Sequence, residues 1–252
     1  MLTKKISMLI VLQIIVLSLL QVVSSREQIY FEGSICRKSD NVSSTGEYRD
    51  NILFVLEKLL NESSNTRFFN TSSGTGVDRV NGLFVCRPDL PLDVCTSCVN
   101  TALGLFNRVC STKKQAIAWY QQCMVRYTNL TIFATYRTEP SSSYFGLFNV
   151  STPDIFPAKL NKTLETIITK ASMSDNKVRF ASSSTNYTIF EGLHGMAWCT
   201  PDIKASECKD CLMNAMSLMP NDGLAQYANM FLPNCLIKYD TAPFIFPTED
   251  AR

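Results

Sequence analysis

The stretch CRPDLPLDVCTSC, Cys86 to Cys98, places three thiols in thirteen residues and closes on a C-x-x-C. That spacing serves three chemistries: a zinc half-site, a dithiol redox centre, or a disulfide staple. A second copy bears on the choice. CTPDIKASECKDC, Cys199 to Cys211, repeats the C-x8-C-x2-C spacing 113 positions later and keeps a Pro-Asp, at Pro88-Asp89 and Pro201-Asp202. Further along, Cys123-Met-Val-Arg-Tyr127 matches Cys235-Leu-Ile-Lys-Tyr239 at an offset of 112. The chain is a tandem duplication.

Each copy carries the same elements around its motif. Ahead of it, Ile52, Val55, Leu56, Leu59 and Leu60 in copy one, and Leu160, Leu164, Ile167, Ile168 and Ala171 in copy two, recur at helical spacing and predict an amphipathic helix. A second helix is predicted from near Asp93 and from near Ser206, which puts the two cysteines of each C-x-x-C on one helix face. Strands are predicted over Gly82–Cys86, Ala116–Tyr127 and Leu130–Tyr136, and over Gly195–Cys199, Ala225–Tyr239 and Phe244–Phe246. The expected class is α+β, two tandem domains each with two helices on one antiparallel sheet. Between the copies, RTEPSSSYFG (137–146) reads as a linker.

The first 25 residues indicate the compartment. Lys4 and Lys5 precede an apolar run from Ile6 to Val23 that ends in Val23-Ser24-Ser25, the pattern of a cleaved signal peptide. No later segment approaches the roughly 20 apolar residues of a membrane-spanning helix. The tail after Cys235 carries Pro243, Pro247, Glu249 and Asp250, unlike a lipid-anchor signal. The expected product is secreted, soluble and extracellular. Seven N-x-[ST] sequons, at Asn41, Asn61, Asn70, Asn129, Asn149, Asn161 and Asn186, point to a glycoprotein. Without the leader, 22 basic residues face 22 acidic ones. That balance lacks the footprint of a nucleic-acid binder and the polybasic run that would hold the chain to anionic lipid.

Catalytic and metal chemistries find little support. The ten cysteines are even in number and sit in an oxidising compartment, which favours bridges over zinc. The two C-x-x-C pairs lie in separate copies, where each would be only half a site. A third cysteine nine residues before each C-x-x-C stands ready to engage its first thiol, unlike a redox centre. His194, the only histidine, occupies the position of Asn81 in the other copy, so the site tolerates unlike side chains. Acids such as Asp89 and Asp93 near a helix start are read as capping groups. No phosphate-binding glycine motif occurs. A non-enzymatic protein with no metal and no cofactor is expected.

The paired C-x8-C-x2-C motifs, flanking cysteines and leader resemble the plant cysteine-rich repeat secretory proteins, built of tandem ginkbilobin-homologous, or stress-antifungal, domains. The resemblance covers essentially the whole mature chain. It implies domains over 26–136 and 147–247 with a short tail at 248–252, and a fold of two helices on a five-stranded antiparallel sheet. The family's pairing, carried over, implies Cys36 with Cys110, Cys86 with Cys95 and Cys98 with Cys123. In copy two, where the first and fifth cysteines are missing together, it implies Cys199 with Cys208 and Cys211 with Cys235. Copy two is expected to be the less stable half. Some seed relatives bind mannose through a triad whose positions here hold Arg37, Ile117 and Thr128 in copy one, and Asn229 and Asp240 in copy two. Neither copy keeps that triad. The resemblance implies an apoplastic interaction protein in signalling or stress response, with receptor-kinase ectodomains or cell-wall glycans as partners. The alternative is a carbohydrate-binding antifungal defence protein.

Overall fold

The computed structural model describes residues 28–37, 46–173, 178–220 and 224–244, together with Gln13. Asn41, the 248–252 tail and the expected leader apart from Gln13 lie outside the described residues. Copy one runs β1 (Phe31–Cys36), α1 (Glu47–Glu62), β2 (Phe68–Ser73), β3 (Val80–Cys86), α2 (Leu92–Val109), β4 (Ala116–Tyr120) and β5 (Cys123–Thr128). Copy two repeats the series as β6 (Ser142–Phe145), α3 (Phe156–Met173), β7 (Phe180–Asn186), β8 (Gly192–Cys199), α4 (Ala205–Ser217), β9 (Tyr227–Phe231) and β10 (Cys235–Asp240). Each copy forms a five-stranded antiparallel sheet, ordered β1-β4-β5-β3-β2 and β6-β9-β10-β8-β7.

The helices form where the apolar stripe recurs. Ile52, Val55, Leu56 and Leu59 are the buried face of α1, and Leu160, Leu164, Ile167, Ile168 and Ala171 that of α3. Both helices lie close on their sheets because a glycine stands beneath each. A Cβ on Gly82 would collide with Val55, and one on Gly195 would come within 3.2 Å of Ile167. These two glycines occupy equivalent positions, so close helix–sheet approach is part of the repeated design.

The central strands are buried on both faces, which explains their near-continuous apolar runs. Along β5, Cys123, Val125 and Tyr127 turn toward the helices, whereas Met124 joins a second core on the opposite face. Along β10, Cys235, Ile237 and Tyr239 do the same, and Leu236 joins that second core. The two sheets therefore pack face to face, with helices outside. The shared core contains Leu83, Val85, Ile117, Trp119 and Met124 from copy one and Met196, Trp198, Phe231 and Leu236 from copy two. Trp119 and Phe231, equivalent by the repeat, lie with centroids 6.0 Å apart, and the Trp119 Nε1 donates to the Leu232 carbonyl at 3.3 Å.

One ion pair crosses the same interface, Lys238 Nζ to Glu32 Oε1 at 3.6 Å. Both side chains are almost fully enclosed, and Glu32 Oε1 has no hydrogen-bond partner among the described residues. Burial pushes the Glu32 carboxyl up and the Lys238 ammonium down, each against the opposing pull of its partner's charge. Desolvation thus outweighs attraction, as is common for buried pairs. Replacing both, Glu32→Leu with Lys238→Met, is expected to keep or raise the urea midpoint. A clear drop in that midpoint would show that the pair contributes net stability.

Five expected elements differ. The runs Ala116–Tyr127 and Ala225–Tyr239 are not single strands: each turns back on itself as a hairpin, β4 with β5 and β9 with β10. Leu130–Tyr136 forms no strand. Its apolar residues instead anchor a crossing segment: Ile132 enters the shared core, the Ala134 N–H donates to Asp202 at 2.9 Å, and the Arg137 N–H donates to Asn234 Oδ1 at 3.0 Å. The 137–146 segment is connection only in part, because Ser142–Phe145 is β6, which pairs with β9 and covers its open edge. Phe244 is not in a strand; it packs in the shared core beneath Lys238, whose Nζ lies 4.2 Å from the ring centroid. Ile245 and Phe246 lie outside the described residues.

Candidate functional site

The opening motif lies where α2 meets the sheet. Cys95 and Cys98, one turn apart on the helix, reach two strands that are direct neighbours, since Cys86 on β3 and Cys123 on β5 are register partners. The bridges are Cys86–Cys95 and Cys98–Cys123. Copy two repeats this with Cys199–Cys208 and Cys211–Cys235, and Cys199 and Cys235 are again register partners. The i, i+3 spacing of C-x-x-C is thus the helical spacing that spans one rung of a β-ladder. Cys36–Cys110 ties β1 to the end of α2. All of these thiols are consumed in bridges, and Cys95 and Cys98 are fully buried.

Five of the sequon asparagines, Asn61, Asn129, Asn149, Asn161 and Asn186, are exposed, and Asn70 is half-buried. Asn41 lies outside the described residues. His194 sits on β8 with its Nδ1 2.9 Å from the Ser184 hydroxyl, opposite Asp240 in the ladder. Asn81, its counterpart, donates from its side chain to the Leu130 carbonyl at 2.9 Å. His194→Asn is expected to shift stability by less than about 0.5 kcal/mol, as for a surface-type substitution. A thermal melt checks it.

The positions of the sugar-binding triad fall into different surroundings. Ile117 is 1% exposed, turned into the shared core, and the Thr128 hydroxyl accepts from the Leu130 N–H at 3.1 Å. Arg37 borders a groove of about 390 Å³ with Arg126, Arg137 and Glu139. There the Arg126 guanidinium is brought down to about 10 by burial and by the like charge of Arg137. In copy two Asn229 is buried with its side-chain carbonyl oxygen unpartnered among the described residues, and burial pushes the Asp240 carboxyl up. The Gly146 N–H donates to Tyr227 as the Arg37 N–H donates to Gln115, so Gly146 stands where copy one has Arg37.

A second opening, a cleft of about 520 Å³, runs between the copies. Its walls come from equivalent positions, including Arg67 and Phe68 facing Arg179 and Phe180. The sequence reading did not single these out. Their signal is the short repeat TRFF (66–69) and VRFA (178–181), also at an offset of 112.

Comparison with known proteins agrees with this geometry. The family described as "Salt stress response/antifungal" matches twice, over residues 35–130 and 146–242. Cysteine-rich repeat secretory protein 9 of Arabidopsis thaliana is 29% identical over 90% of this chain and 70% of its own length. Putative cysteine-rich repeat secretory protein 5 of the same plant is 32% identical over 81% of this chain and 79% of its own. Cysteine-rich receptor-like protein kinase 6, also from that plant, is 28% identical over 88% of this chain but only 33% of its own length. Among solved structures, the tandem DUF26 ectodomain of the Arabidopsis thaliana cysteine-rich receptor-like protein PDLP8 superposes with a TM-score of 0.74 at 19% identity, covering 85% of this chain and 99% of that one. Among the described residues, no helix is long and apolar enough to cross a membrane. With both copies matched and a secretory relative aligned over most of its length, the chain belongs to the salt stress response/antifungal (DUF26) family, in its tandem two-copy form.

Proposed function

We propose that the protein is an exported, non-enzymatic interaction protein that binds protein or cell-wall ligands outside the cell, in the apoplast, in signalling or stress response. One observation carries the reading: its two-copy body is coextensive with a solved receptor-like ectodomain, 99% of which it covers. The match to only a third of a cysteine-rich receptor-like kinase, over 88% of this chain, supports the same reading, because it sets this body within a larger receptor-like protein. Receptor-kinase ectodomains built from the same module, and cell-wall glycans, are the partners this reading favours. The leader and the exposed sequons support export and N-glycosylation at Asn61, Asn129, Asn149, Asn161 and Asn186.

The second reading, a carbohydrate-binding antifungal protein, draws on the family's description and on the groove at Arg37. Two measurements on the purified mature protein separate them. Saturable capture of a partner protein from extracellular fluid supports the interaction reading. Saturable mannose or glucan binding on a glycan array, competed by the free sugar, moves the assignment to the second.

A further inference from the structure

The cleft between the copies holds polar donors that the fold leaves open, beside Phe68 and Phe180, which also pack against the shared core. Arg67 and Arg179 are equivalent residues: the carbonyl of each accepts from the N–H of the first cysteine of a C-x8-C-x2-C motif, Cys86 at 2.7 Å and Cys199 at 2.8 Å. Their guanidinium groups differ. The Arg67 Nε donates to the Leu90 carbonyl at 2.8 Å and so ties the motif loop to β2. The Arg179 Nε and Nη1 are buried yet have no hydrogen-bond partner among the described residues. The Trp198 Nε1, on a residue that lines the cleft, is also buried with no partner among the described residues. Buried donors left open are costly, and native folds rarely keep them without a use.

The rest of the lining narrows what could use them. No Asp or Glu lines the cleft among the described residues, so the positive charge of the two arginines is not offset there. Phe68 and Phe180 face it from the two copies, and Asn65 offers an amide donor and acceptor at the rim. A cavity of about 520 Å³ also lies within the ~300–1,000 Å³ of small-molecule sites. An oxyanion supplies acceptors for the open guanidinium donors. A ring with an apolar face suits the phenylalanines, and hydroxyls suit the asparagine amide. An acidic sugar combines all three features.

We infer that this cleft is a binding site for an acidic oligosaccharide, its carboxylate on Arg179 and the apolar face of its ring against Phe68 and Phe180. The inference rests on the reading of the protein as an extracellular binding protein and specifies its ligand class. Both walls are held by the short bridges Cys86–Cys95 and Cys199–Cys208. The site is thus preorganised by the same staples that define the repeat.

The test is calorimetric titration of the full mature protein with trigalacturonate, its methyl ester and a tetraglutamate peptide. Saturable binding of the acid, at least tenfold weaker binding of the neutral ester, and no binding of the peptide are expected. Arg179→Ala, which removes no hydrogen bond among the described residues, should weaken trigalacturonate binding about ten- to a hundredfold, as for a charged hydrogen bond, without lowering the melting temperature. Equal binding of acid and ester, displacement of the acid by the peptide, or an unaffected Arg179→Ala variant would overturn the site. Absence of trigalacturonate binding would do so too, while capture of a partner from extracellular fluid would still uphold the broader reading.

Discussion

Trp119→Ala is expected to lower the unfolding free energy by about 3–5 kcal/mol, the usual cost of removing a fully buried large aromatic. Trp119 is 1% exposed and lies where the two sheets meet, against Phe231 of the other copy. Its loss leaves a cavity between the copies and orphans the Leu232 carbonyl that its indole N–H satisfies. Urea unfolding followed by circular dichroism reads the change. Leu53→Ala, at a site 45% exposed on α1, serves as the control and should remain within about 0.5 kcal/mol of the parent. A loss below about 1 kcal/mol at Trp119 would show that the sheets do not share a packed core in solution.

Replacing Cys36 and Cys110 together with alanine is expected to cost roughly 4 kcal/mol, the chain-entropy value for so long a closed loop. The bridge spans 74 positions, against 9 for Cys86–Cys95 and 25 for Cys98–Cys123. Copy two is a natural version of that loss. Ladder register sets Cys36 against Ala116 and Phe145 against Ala228, so Phe145 stands where the first cysteine would be. An apolar edge residue replaces a covalent tie, and the packing of β8, β9 and β10 on copy one must hold the sheet. A separately expressed copy two should therefore melt below a separately expressed copy one. The reverse order would contradict the role assigned to the long bridge.

Legibility in the sequence followed burial. Helices α1 to α4 and the central strands β3, β5, β8 and β10 were readable because strong periodicity or apolar runs mark residues enclosed by packing. Most outer strands were not, because FEGSIC, FFNTSS, SSYF and FASSSTN are short, rich in serine and only partly buried. Leu130–Tyr136 misled for the opposite reason: its apolar residues reach a core made by the other copy, which no local pattern records. That the cysteine motif is a staple was legible through the repeat, whereas the pairing itself came from the family resemblance, and the paired loss of two cysteines in copy two fitted that pairing. The cleft was not legible, because Arg67 and Arg179 become neighbours of one cavity only when the sheets stack.

The central claim is that CRPDLPLDVCTSC and its copy are structural staples holding two helices to two stacked sheets. Peptide mapping of the mature protein under non-reducing conditions, with free thiols blocked first, tests it most directly. The predicted result is five crosslinked pairs, Cys36–Cys110, Cys86–Cys95, Cys98–Cys123, Cys199–Cys208 and Cys211–Cys235, with no blocked thiol. A Cys95–Cys98 or Cys208–Cys211 pair, or two or more blocked thiols within either motif, would contradict it.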